Sequence, residues 1–124
     1  MSFSDPTSPL LEGTWHMVRA ELGGESAPDL LVAHTTIELG TGRYAVRFEG
    51  RVVDAGTVES VDASALTLRG DAGPNAGRTI RCRYQVRGDR LRVCFGLDGV
   101  LPTEFVTAAG DQRYLAVYRR TGLM

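Results

Sequence analysis

Between Leu11 and Arg120 the chain consists almost entirely of short runs whose apolar and polar residues alternate, each run stopping at turn residues. The runs are LEGTWHMVRAEL (11–22), TTIELG (35–40), RYAVRFE (43–49), VVDAGTVES (52–60), ALTLRG (65–70), RTIRCRYQV (78–86), RLRVCF (90–95), PTEFVT (102–107) and RYLAVYRR (113–120). A period of two belongs to strands with one buried face. Thr41-Gly42, Glu49-Gly50, Gly73-Pro74-Asn75 and Gly88-Asp89 supply the turn chemistry that folds consecutive strands into antiparallel hairpins. No segment with helical periodicity reaches ten residues, and Pro28-Asp29 followed by Leu30-Leu31-Val32 predicts one short helical turn. About eight or nine strands would leave two exposed edges unless the sheet closes on itself. The expected fold is therefore all-β: an antiparallel up-and-down barrel of about eight strands with one short helical turn. A β-sandwich is the competing arrangement. The barrel is expected over residues 10–121, after a flexible segment at 1–9.

A chain of 124 residues can bury one core without metal or disulfide staples. Its hydrophobic share of 43% and charged share of 23% suit a soluble globular domain. Met1 to Pro9 lacks the charged start and apolar core of a signal peptide, so a cytoplasmic location and no membrane span are expected. Cys82 and Cys94 flank the Gly88-Asp89 turn. Pairing Val86 with Leu91 sets Arg83 opposite Cys94 and Cys82 opposite Phe95, so the thiols point to opposite faces of the sheet. Free thiols in a reducing compartment follow.

Four landmarks follow one another along the chain: LEGTW at 11–15, GPNAG at 73–77, LRVCF at 91–95 and PTEF at 102–105. Together with the YLAVYRR ending, these resemble an uncharacterised bacterial lipocalin-like domain family over about residues 10–120. His16 and Cys82 depart from that family's usual pattern. The resemblance implies a calycin-type barrel and brings no activity with it. It also implies that one end is sealed by a latch of Gly13, Trp15 and Arg119, the guanidinium stacking on the indole. Such a cation–π contact is structural, on the order of 0.5–2 kcal/mol.

With Trp15 inward, alternation sends Met17 and Arg19 to the same side, and Tyr44, Val46 and Phe48 form a matching stripe. Val53, Ala55 and Thr57 follow after the Glu49-Gly50 turn, then Ile80, Cys82, Tyr84 and Val86 opposite Leu91, Val93 and Phe95. Leu115, Val117 and Arg119 complete the predicted wall. An eight-stranded barrel is either filled by side chains or wide enough for one small ligand. The candidate lumen site is Arg19, Met17, Tyr44, Val46, Phe48, Tyr84, Val93 and Phe95, with Arg19 receiving an anionic head group. A rim position that lets Arg19 reach water is the plainer alternative.

Every basic residue is an arginine. Residues 1–62 hold ten acids and four arginines (net −6), and residues 63–124 hold five acids and ten arginines (net +5). Outward positions of the later hairpin gather Arg81, Arg83, Arg87, Arg90 and Arg92, with Arg69 on the neighbouring strand. That face suits an acidic protein, another copy's acidic half, or plain solvent. Nucleic acid is disfavoured, because no aromatics interleave there and the net charge is −1.

Enzymatic chemistry finds little purchase. His16 and His34 do not form a spaced metal pair, the cysteines diverge, and no lysine is present for Schiff-base or P-loop chemistry. Glu104 suits a turn cap or an ion pair better than a general base. A non-enzymatic protein without metal or cofactor is expected, binding a small apolar or amphiphilic molecule in the lumen. The alternative is a protein or anion interaction module with a filled core, acting through its arginine face.

Overall fold

A computed structural model describes residues 11–120. The elements are β1 (Gly13–Leu22), β2 (Glu25–Ser26), α1 (Asp29–Ala33), β3 (Thr35–Gly40), β4 (Arg43–Phe48), β5 (Arg51–Asp62), β6 (Ala65–Ala72), β7 (Thr79–Arg87), β8 (Arg90–Gly96) and β9 (Arg113–Arg120). From β3 onward each strand pairs antiparallel with the next, β1 pairs with β3, and β9 returns to β1, closing an eight-stranded barrel. The two-residue β2 only extends the end of β1. The flexible segment expected at 1–9 lies outside the described residues. No described helix is long and apolar enough to cross a membrane.

Strand direction gives the barrel two different ends. The floor carries the starts of β1 and β4 and the ends of β7 and β9; the mouth carries α1, the 48–51 turn, the 73–78 connection and residues 97–112. At the floor Trp15 is wholly buried, and its indole Nε1 donates to the Leu11 carbonyl at 2.8 Å. The cation over its ring is Arg120, 4.1 Å from the centroid, and not Arg119. The register explains the correction: Trp15 faces Arg120 across the β1–β9 seam, whereas Arg119 faces His16 and pairs outside with Asp89 at 3.5 Å. Arg120 Nη1 also donates to the Glu12 carbonyl at 2.6 Å. Gly13 has φ 131°, and a Cβ there would stand 2.9 Å from that same nitrogen, so glycine lets the guanidinium lie flat.

Residues 102–107 form no strand. β8 already has β7 and β9 as neighbours, so closure leaves no edge for another. Residues 97–112 instead make a strap over the outside of the wall. Arg83 Nε donates to the Pro102 carbonyl at 2.7 Å and its Nη1 to Ser64 Oγ at 2.9 Å. The Arg92 guanidinium lies 4.0 Å above the Phe105 ring, while its Nε donates to Gln85 Oε1. Thr107 Oγ1 donates to Glu21 and accepts from the Gly24 amide, both at 2.8 Å. Cys94 and Leu115 point outward by register yet are buried, as cover by the strap requires.

Candidate functional site

Core side chains run from the floor to the mouth half, where they wall a partly enclosed cavity of about 150 Å³. Its apolar wall includes Met17 from β1, Ile37 from β3, Val46 from β4, Leu68 from β6, Ile80 from β7 and Phe95 from β8. Leu97 lines it from the strap, and Thr35, Tyr114 and Tyr118 add hydroxyls. Asp54 and Asn75 meet Tyr44 on one side. Above the mouth, Val32 of α1 packs on the core, while Leu30 and Leu31 face solvent.

Of the lumen residues expected from sequence, Met17, Tyr44, Val46 and Phe95 line the cavity. Tyr84 and Val93 are buried in the wall but do not reach it. Phe48 is half-buried beside the mouth, its ring edge-on to His34 at 6.2 Å. Arg19 is outside: β1 bulges between Met17 and Arg19, so Val18 and Arg19 both face solvent before Ala20 turns back into the core. The anionic head-group role expected for Arg19 is therefore overturned. Arg19 instead joins an outer groove with Arg87, Arg90 and Arg92.

Alternation missed several lining residues: β9 turns Tyr114 and Tyr118 inward, where Leu115, Val117 and Arg119 were expected, and β5 turns in Asp54. Alternation pointed Val53, Ala55 and Thr57 inward, but Val53 is exposed, Val58 is buried and Asp54 pairs with Val46 on the cavity side. A bulge between Val46 and Arg47 fixes that parity. Asp54 Oδ2 accepts from Asn75 Nδ2 at 2.8 Å and from the Tyr44 hydroxyl at 3.4 Å. Asp54 Oδ1 is buried without a hydrogen-bond partner among the described residues. Leaving such an acceptor unmade costs about 1–3 kcal/mol, and more when it is charged.

Glycines bring Asn75 there. Residues 70 and 76 form a parallel bridge, so the 73–78 connection folds back beside β6. A side chain at Gly70 would collide with the Asn75 carbonyl, and one at Gly73 with the Val53 carbonyl. Gly73 also has φ 86°, in the left-handed region. The GPNAG segment is thus the device that delivers an amide to the Asp54 carboxylate.

Burial, and next the Asp54 charge and hydrogen bond, push the Tyr44 phenol well above its ordinary value. Burial likewise raises Tyr114 and, strongly, Tyr118. These hydroxyls remain donors across the neutral range. Burial also raises both thiols, Cys82 inside the barrel and Cys94 outside it, with no bond between them. Among the described residues no group of three or more His, Cys, Asp or Glu side chains converges on a metal position.

Other depressions, among them one of about 330 Å³ between Glu59, Arg69 and Arg81, are solvent-open. One of about 430 Å³ runs from Gly13 and Thr14 across β3 to β5, and another is the Arg19 groove. Within the outer arginine group the members have separate fates. Arg83 and Arg92 hold the strap, and Arg69 meets Glu59 at 3.3 Å. Arg81, Arg87 and Arg90 have neither an ion pair nor a side-chain hydrogen bond among the described residues. Glu104 is exposed on the strap. No family model and no curated protein matches the chain.

Proposed function

We propose that the domain, lipocalin-like in architecture, is a non-catalytic binding protein for a small, mainly apolar molecule held in the lumen. The partly enclosed cavity at the mouth end carries this reading, because most of its wall is aliphatic or aromatic and its one carboxylate and one amide, Asp54 and Asn75, are hydrogen-bonded to each other. At about 150 Å³ it suits a single-ring body, not a long acyl chain. Neither histidine and neither cysteine lines it, so the pairing of a nucleophile with a base has no support there. Calorimetric titration with toluene tests the proposal. Saturable binding of one molecule per chain, unchanged by salt and lost in Val46→Trp, is the expected result. Absence of saturable heat for toluene and similarly sized ligands would contradict it.

A second reading concerns the outer groove, where Arg19, Arg87 and Arg90 lie near the stacked Arg92. Like charges so placed repel, and an anionic partner would relieve them. Binding of an acidic protein or another copy there would weaken steeply with salt. Arg87→Glu with Arg90→Glu is the appropriate test pair, because Arg83 and Arg92 also anchor the strap.

A further inference from the structure

Among the described residues Asp54 is the one formally charged side chain in the cavity wall, and no arginine, lysine or histidine shares the wall with it. Its partners, Asn75 and the Tyr44 hydroxyl, are neutral donors that both bond to Oδ2. Oδ1 is left buried without a partner among the described residues. The Tyr44 ring adjoins Asp54, and the rings of Tyr114, Tyr118 and Phe95 stand elsewhere in the same cavity wall. A carboxylate without a countercharge, in a cavity whose wall also carries four aromatic rings, is complementary to a desolvated cation that carries N–H donors.

Building on the lumen reading, we infer that the ligand is a compact organic amine, bound as its ammonium ion with Asp54 as the anchor. The ammonium donates to the carboxylate, and its positive charge meets the tyrosine and phenylalanine faces. The apolar body fills the remaining space. The polarity is opposite to that of an anionic head group bound by arginine, since Arg19, the arginine expected among the lumen residues for that role, faces solvent. Asn75 has a positioning role, holding Oδ2 so that Oδ1 remains free for the ligand.

The test compares benzylamine, benzyl alcohol and toluene, of nearly equal size, by calorimetry on the intact chain at pH 7. Benzylamine is expected to bind at least about tenfold tighter than either neutral compound. Asp54→Asn should abolish that preference while toluene still binds, which shows that the lumen is intact. Benzyl alcohol or toluene binding as tightly as benzylamine would overturn the amine inference and leave the lumen reading standing. A preference for benzylamine that survives in Asp54→Asn would overturn the role of Asp54. Failure of all three compounds to bind would overturn both readings. The comparison on the natural sequence needs no variant, so misfolding of Asp54→Asn would not remove the test.

Discussion

At the residue scale the Trp15 latch shows how much depends on one position. Arg120 stacks on the indole and donates to the Glu12 carbonyl, whereas Arg119 makes a half-exposed ion pair with Asp89. Arg120→Ala should therefore lower unfolding free energy by about 1–2 kcal/mol, summing a cation–π contact and a charged hydrogen bond. Arg119→Ala should change it by less than about 0.5 kcal/mol. Urea denaturation of the two variants checks the pair, and equal losses would refute the assignment. That an arginine of β9 meets Trp15 is legible in the sequence; which one is not. Both faces of β9 are apolar, Tyr114, Ala116 and Tyr118 inside and Leu115 and Val117 outside, so alternation alone leaves the parity open. Arg19 escaped for a different reason. A bulge reverses strand parity without any glycine or proline to announce it.

At the scale of elements, strands and hairpin registers were readable, including Arg83 opposite Cys94 and Cys82 opposite Phe95. The strap was not, because an alternating segment such as PTEFVT reads as a strand wherever an edge is free, and here none is. Its cover leads to a direct expectation. Neither thiol should react readily with a bulky disulfide reagent in the native protein, given their burial. Phe105→Ala removes the ring beneath Arg92 and should speed modification of Cys94 severalfold while Cys82 stays slow, as mass spectrometry of the labelled peptides would show. Equal acceleration at both cysteines would mean general loosening instead. The 73–78 connection was legible only as a turn, since its role depends on backbone approach. Gly73→Ala brings a Cβ against the Val53 carbonyl at a positive φ and should cost about 1–3 kcal/mol. Amide exchange should then quicken first around Asn75. Asp54 itself was hidden, because alternation read from hydropathy places a carboxylate outside, and only tertiary contacts from Tyr44 and Asn75 reveal that it is held inside.

At the scale of the molecule, a closed barrel that shields its tyrosines ties stability to alkaline pH. Burial raises the phenols of Tyr44, Tyr84, Tyr114 and Tyr118 above their ordinary value of 10.0. The folded protein keeps protons that the unfolded chain releases above about pH 10, so this stability is complete below pH 10 and falls as pH rises further. The slope approaches about 1.4 kcal/mol per pH unit for each tyrosine involved. Urea midpoints measured from pH 8 to 11 should be level at first and then decline, and a midpoint still level at pH 11 would contradict the burial. The same closure leaves the mouth-end cavity on which the proposed function rests. Its most direct test is an NMR measurement of NOEs between bound toluene and the protein's methyl groups. NOEs are expected to Met17, Ile37, Leu68 and Ile80, which share no outer surface. NOEs confined to exposed methyls such as Leu30, Val52 or Val61 would place the ligand outside the barrel and contradict it.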